Sequence, residues 1–588
     1  YNVVVGDEAG TALTTGDWNT ALGYLALATE DTGSRATALG TFALQYQNAG
    51  DVSTYNIGIG YAAGQAVTTG VQNTIIGGFA GDALTSGSAN VAVGYLALST
   101  EDAHGTNVAV GFQTLNALNA GVDSYNTAVG ANAGVLVSTG AQNTIIGGLA
   151  GDALTDADFN VAVGTSALGA DTLGSRSVAI GRSSLTTQNF TSATNSYNVG
   201  VGFNSGASLT TGIENVIIGG LAGNNITGGG FSGTTRQAGG DYNVVIGQAA
   251  LSSDTLGNKS IAIGVNALAT QNFTSSTNAF NTAVGHAAGT AVTTGQLNTL
   301  TGGQAGAALT VGGENVAIGY NSLVTDTRGS HSVAVGPYAL QTQNFTSATD
   351  TFNTGVGYNA GGGITTGVQN TLIGGLAGDA LTDADYNVAI GYAALTRDTL
   401  GSKTIAIGQG VLANQNFTSA TDSYNTAVGH LAGAEVTTGV QNTIIGGLAG
   451  DALTTGSNNV VVGAFALSGD DLGSFNTALG YNTLAAMNFA SATDSYNTAV
   501  GARAGQAITT GFQNTFVGGL AGDATDDGSY NTAVGYLALS TNCGDQNTAF
   551  GENALAQTTG ATNTAVGAAA GYEVSSGTNN CFLGQQAG

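Results

Sequence analysis

Residues 425–441 read Asn-Thr-Ala-Val-Gly-His-Leu-Ala-Gly-Ala-Glu-Val-Thr-Thr-Gly-Val-Gln, and at Asn442 the phrase begins again as Asn-Thr-Ile-Ile-Gly. The opening five residues recur at Asn126–Gly130, Asn281–Gly285 and Asn497–Gly501, with looser copies at Asn2–Gly6, Asn143–Gly147 and Asn580–Gly584. Aligned on the glycine, the chain divides into 33 units, most of 17 residues, a few of 16, 19, 20 or 21, and one of 28. A fixed short period of this kind marks a stacked architecture, because one such unit alone buries too little apolar surface to be stable.

Numbered from its Asn, each unit carries Gly at position 5 and, with the exception of Thr301, a large apolar residue at position 4. Position 2 is mostly Thr, Val or Ile, β-branched residues that favour strands. Positions 2 and 4 share a face because strand side chains alternate. The reading is a very short strand with that face inward, stopped by a glycine that accepts a tight bend. Position 8 is small, as at Ala63, Ala150, Ala288 and Ala432, and a second turn signal follows, as in Thr293–Gly295 or Leu400–Ser402. Two turns and two short extended runs in 17 residues predict one coil of an all-β parallel solenoid, a β-roll or β-helix. At about 4.8 Å per stacked strand, 33 coils would make a rod roughly 160 Å long.

Other architectures fail on the same residues. The 3.6-residue apolar period of helices is missing, and a glycine every few residues would cost about 1 kcal/mol each inside a helix. A propeller blade needs about 40 residues. With 96 Gly but one Pro the chain is not collagen, and with 42% apolar residues it is not a disordered chain.

A second period lies above the first. Asn281, Asn353, Asn425 and Asn497 are 72 residues apart, three units of 17 and one of 21. The 21-residue unit carries Gln-Asn-Phe-Thr-Ser-Ala-Thr, as at Gln343–Thr349 and Gln415–Thr421. Position 1 is Asn in 28 units, and stacked Asn side chains can form a hydrogen-bonded ladder. The departures, Ala36, Ser177, Ser260, Ser332 and Thr404, all open units of 20 or 21 residues. The domain organisation is one continuous array over residues 1–588, with a longer loop pushed out of one coil over residues 220–242, around Gly228, Gly229, Gly230 and Phe231.

The Asn-Thr-Ala-Val-Gly units, and Ser-Val-Ala-Ile-Gly at Ser177–Gly181, resemble the head repeats of trimeric autotransporter adhesins. Closely similar repeats occur in bacteriophage tail fibres and other surface fibres. The resemblance covers essentially the whole chain. It implies left-handed parallel β-rolls packed three abreast that bind surfaces or host cells. The unit here is generally longer, and the 72-residue super-repeat is a departure. No coiled-coil stalk or membrane anchor is visible within these residues, so the mode of attachment stays open.

The charge balance narrows the partners. Thirty-six acidic and nine basic residues give a net charge of −27. Binding nucleic acid takes clustered Lys and Arg, and docking on anionic membranes takes basic surface. Neither is expected, and no run of about 20 apolar residues suggests membrane insertion. Only 8% of residues are charged, so a slender rod would expose much apolar area. Leu and Tyr at positions 6, 7 and 9, as in Tyr95, Leu96 and Leu98, are therefore expected to mediate lateral self-association, most simply as a homotrimer. The alternative is that they fill a wider coil. The sequence begins and ends within a repeat, which leads to the expectation that caps and a leader lie outside it or that rods join end to end into a filament.

Chemistry is sparse. His104, His286, His331 and His430 are too far apart to share a metal, and the glycine-rich phrases lack the Gly-Lys-Ser/Thr of a phosphate loop. No enzyme is expected, and no cofactor. Asp152, Asp156 and Asp158 fall in one coil, and Asp379, Asp383 and Asp385 repeat the pattern, making these the calcium candidates, with solvated turn residues as the alternative. Asn189, Asn272, Asn344 and Asn416 head Asn-Phe-Thr glycosylation sequons, while the copy at Asn488 is broken by Ala490. The alternative for these sequons is a turn whose Phe packs on the rod.

The functional expectation is a structural or adhesive extracellular fibre, as a cell-surface adhesin, a filament subunit or a phage tail-fibre shaft, with a cell-surface or glycan receptor as a further partner. Ice binding is the first alternative, but Thr-Thr-Gly occurs mainly in one coil type per super-repeat, short of the Thr on every coil that an ice face needs. A polysaccharide-processing enzyme of the β-helix class comes next, but the acidic or basic cluster it would place in a groove is not visible, which leaves glycan binding without catalysis through repeated Tyr and Phe.

Overall fold

A computed structural model describes residues 1–229, 231–232, 235–236 and 238–588. The chain forms two compact units, Tyr1–Asn298 and Thr299–Gly588, and each is a parallel β-solenoid. Among the described residues no helix forms. Each repeat contributes one three-residue strand at positions 2–4, sixteen in the first unit and seventeen in the second. Neighbouring repeats pair in register. Val161–Val163 lies between Thr144–Ile146 and Val178–Ile180, like position against like position. In the second unit Val388–Ile390 sits in the same way between Thr371–Ile373 and Ile405–Ile407.

The super-repeat adds a second, shorter ladder. Gly174–Ser175 pairs in parallel with Thr194–Asn195, and the arrangement returns at Gly257–Asn258 with Thr277–Asn278, Gly329–Ser330 with Thr349–Asp350, Gly401–Ser402 with Thr421–Asp422, and Gly473–Ser474 with Thr493–Asp494. The four additional residues of the 21-residue coils thus form a bulge braced on the preceding coil. In the 28-residue unit the backbone of Phe231–Ser232 turns back antiparallel to Thr235–Arg236 before the main ladder resumes, with Val216 opposite Val244. Gly230 of the predicted loop lies outside the described residues.

The strand faces are the reverse of the sequence expectation. Position 3 points into the coil: Ala128, Ile145, Ala162, Ala179 and Leu372 are fully buried. Positions 2 and 4 face outward and are half-buried or exposed, as in Thr144 and Ile146. The physical reason is width. Each coil closes in about 17 residues, so its interior has room for few large side chains. Where position 3 is large, as Ile145 or Leu372, position 9 is glycine (Gly151, Gly378), and a Cβ built on Gly378 would come within 2.8 Å of Leu372. Where position 9 is leucine, position 3 shrinks to alanine, as Ala162 with Leu168 and Ala389 with Leu395, or to valine, as Val245 with Leu251 and Val461 with Leu467. Leu98, expected outside, is one of these filling residues and is fully buried, whereas Tyr95 is 48% exposed.

Two ladders fix the register. The buried Asn at position 1 accepts, on its Oδ1, the backbone N–H of position 1 in the next coil. Asn56 accepts from Asn73 at 2.8 Å, and Asn442 accepts from Asn459 at 3.0 Å. Its Nδ2 donates to the carbonyl 14 residues later, Asn56 to Gly70 at 2.7 Å and Asn442 to Gly456 at 2.9 Å. One side chain thereby closes its own coil and bonds the next. The predicted Asn ladder is present, made chiefly through backbone groups. The glycines at position 5 form the second ladder. Gly374 has φ +133°, and a Cβ on it would lie 2.5 Å from the Gly391 carbonyl oxygen. No L side chain fits that site.

Candidate functional site

The exposed sheet face is the most regular surface of each unit. Position 2 is Thr, Val or Ile in every repeat except the last, where Cys581 stands, and none of the 36 acidic and 9 basic residues occupies position 2 or 4. Ile146, Ile373 and Ile445 at position 4 are each close to 40% exposed. The result is a pair of adjacent rows, largely β-branched and wholly uncharged, on a protein of net charge −27.

Aromatic and cationic side chains flank these rows. Across positions 6 and 7 of six successive coils, Tyr24, Phe42, Tyr61, Phe79, Tyr95 and Phe112 form a chain of ring contacts with centroids 5.1–6.2 Å apart. Tyr320, Tyr338 and Tyr358 make a shorter one in the second unit. On the other flank, immediately before position 1, cations sit over rings. Arg176 lies 4.8 Å from the Phe159 centroid and 5.8 Å from that of Tyr197, and Lys403 lies 5.2 Å from Tyr424 while pairing with Asp422 at 2.5 Å. His331 in the same row reaches Glu314 at 3.2 Å through Nε2 and Asp350 at 3.1 Å through Nδ1, stacked on Phe352. Such contacts hold the flanking side chains in place.

Inside the coil, sequence reasoning missed a recurring polar pair. Where position 9 is leucine, position 12 is free to be polar. In five super-repeats it is a buried acid in one coil and a buried glutamine in the next. Gln47 donates to Glu30 at 2.8 Å, Gln188 to Asp171 at 2.6 Å, Gln271 to Asp254 at 2.6 Å, Gln343 to Asp326 at 2.5 Å and Gln415 to Asp398 at 2.6 Å. Each glutamine oxygen accepts from the Asn of the following coil, as from Asn198 at 3.0 Å and Asn353 at 2.9 Å. Burial pushes the carboxyls of Asp171 and Asp254 upward, against the lowering effect of these donors. The signal was a fixed spacing: an acid three residues after Leu in one coil, and Gln eleven residues into the next.

Two coils break the pattern. Met487 replaces the glutamine opposite Asp470, whose Oδ2 is left without a hydrogen-bond partner, and burial raises its pKa to about 6. Leu118 replaces the glutamine opposite Glu101, and there His104 stands three residues on, where the other coils have glycine.

Five of the six calcium candidates accept hydrogen bonds from neighbouring coils. Asp156 accepts from Thr139 and Asp158 from the Ala141 backbone, and Asp383 and Asp385 repeat this with Thr366 and Val368. Asp379 accepts from Thr396 at 2.6 Å, and burial raises the pKa of Asp152 and Asp379. In the sequons the Phe after each Asn is buried: Phe190 fully, Phe273, Phe345 and Phe417 nearly so. Asn189 is half-buried, and Asn272, Asn344 and Asn416 are exposed beside them. His286 and His430 are exposed at position 6.

No protein-family model and no curated protein matches the chain. Among the described residues no helix is long and apolar enough to cross a membrane.

Proposed function

We propose that this chain is a structural or adhesive fibre protein working outside the cell, on a cell surface or a virion, and not an enzyme. Its solenoids associate side by side as a homotrimer, through the outward rows at positions 2 and 4. The observation that carries this reading is the uncharged β-branched face itself. Large apolar patches that repeat without interruption mark interfaces, and charge depletion at the core of a contact is the usual compositional sign. The acidic residues elsewhere keep the assembly dispersed. The flanking aromatic chain gives such a fibre a surface for a glycan receptor, since rings present apolar area with a polar tip.

Light scattering on the purified full chain, coupled to size exclusion, tests the assembly. The expected mass is three times 57.4 kDa, falling to one chain when I146K, I373K and I445K are combined. A wild-type chain that runs as a monomer at micromolar concentration would remove the proposal.

Ice binding gains one specific observation as a second reading. The surface relevant to it is the row at position 2, not the Thr-Thr-Gly turn, and that row is β-branched in nearly every coil. A thermal-hysteresis measurement on the wild-type chain decides between them: activity that the triple lysine variant loses would favour ice, and none would leave the fibre reading.

A further inference from the structure

Among the described residues one group of three metal-ligating side chains comes together, Glu101, Asp102 and His104, with one ligand atom from each lying within 4.8 Å of the others. We propose that these three residues form a site for a divalent cation of the zinc class.

The site departs from the repeat in three linked ways. In the equivalent coils the residue three after the buried acid is glycine, and a Cβ there would strike the carboxylate, at 2.1 Å for Gly174 against Asp171 and for Gly401 against Asp398. At His104 the chain carries both a Cβ and an imidazole, so the loop is opened. The short two-residue strand that includes Gly174 and Gly401 does not form at residues 104–105. The glutamine that would serve the carboxylate is replaced by Leu118. Glu101 is thereby left fully buried, with backbone donors from His104 at 3.2 Å and Ala120 at 3.4 Å in place of an amide side chain.

The imidazole does not simply substitute for that amide. His104 Nδ1 is shielded from solvent, though the side chain as a whole is 27% exposed, and it lies 3.4 Å from Glu101 Oε1, an ion-pair distance at which no well-formed hydrogen bond is made. Buried polar atoms are nearly always paired, and an exception calls for an explanation such as an ion. A separation of 3.4 Å is close to the roughly 3.3 Å between two ligands of a tetrahedral zinc with bonds of about 2.0–2.1 Å. One imidazole and two carboxylates suit zinc and its neighbours. Calcium asks for six to eight oxygens, more than this loop offers. Asp102, exposed at the rim, supplies the third ligand and leaves a position for water.

Isothermal titration of the chelator-treated full chain with zinc chloride tests this. One saturable site per chain is expected, at least tenfold weaker in H104G, which installs the residue of the sister coils. L118Q gives Glu101 the amide partner found elsewhere, competes for its oxygen and should also weaken zinc at least threefold, without lowering the thermal melt. Zinc should slow amide exchange over residues 101–106 in the wild type alone, and millimolar calcium should not displace it. No saturable site in the wild type, equal binding by both variants, or displacement by calcium would each overturn the assignment.

Discussion

Gln188 donates its side-chain amide to the carboxylate of Asp171 at 2.6 Å, from one coil to the next, with both side chains fully buried. The same pair recurs through the super-repeat and fails at Asp470, where Met487 takes the glutamine's place and only a weak contact remains, from Asn497 Nδ2 to the Met487 sulfur at 3.4 Å. The substitution M487Q should therefore stabilise its coil. Supplying a buried carboxyl with its missing donor is worth about 1–3 kcal/mol. Hydrogen exchange of residues 470–497 reads this directly, with slower exchange expected. The converse change, Q188M, should destabilise the coils around Asp171 by a similar amount.

The break at Asp470 also sets a pH dependence. Its folded pKa is about 6, raised chiefly by burial above the ordinary 3.8. Between those values the folded state holds a proton that the unfolded chain has released, so stability is greatest below about pH 3.8 and is lost as pH rises through 6. The contribution is up to about 3 kcal/mol. Amides of residues 470–497, corrected for intrinsic exchange, should be better protected at pH 5 than at pH 7.5, and M487Q should reduce the difference.

Two adjacent glycines separate backbone demand from mere smallness. Gly374 sits at φ +133° with the Gly391 carbonyl 2.5 Å from any added Cβ, whereas Gly375 has only the Tyr392 ring at 3.6 Å. G374A should open the coils on either side, at a cost of about 2–3 kcal/mol or more. G375A should be nearly silent. Limited proteolysis near residues 370–391 distinguishes them.

Cys581 occupies position 2 of the last repeat and is exposed, while Cys543 is buried and its thiol pKa is raised by burial. If copies meet through the outward rows in parallel register, Cys581 of neighbouring chains lie close together. Mild oxidation should then give a disulfide-linked dimer on a non-reducing gel, abolished by C581T and unaffected by C543A.

The fold was legible because the period is short and its punctuation strict. Asn at position 1 and Gly at position 5 have roles that few other residues can fill, so their spacing alone specifies a closed, stacked coil. The orientation of the strand was not legible. Thr144 and Ile146 look like core residues by type, and Ala162 does not, but the coil interior accepts nothing larger than valine at position 3 when position 9 is leucine. Burial there is set by the side chain that faces it from the preceding coil, such as Leu340, which lies 3.0 Å from a Cβ built on Gly355, and a strand pattern does not contain that partner. His104 was legible only as an isolated residue, and Glu101 was not legible at all. What makes them a cluster is the loss of a glutamine at position 118, visible once the polar pairs of the other coils are known.

The most direct measurement is a cryo-EM reconstruction of the full chain that resolves side chains across its transverse section. The expected section shows Ala or Ile of position 3 inside each coil and the position 2 and 4 rows pressed against a neighbouring copy. A solitary solenoid with those rows in solvent would contradict the lateral assembly, and rows 2 and 4 turned into the coil would contradict the fold description itself.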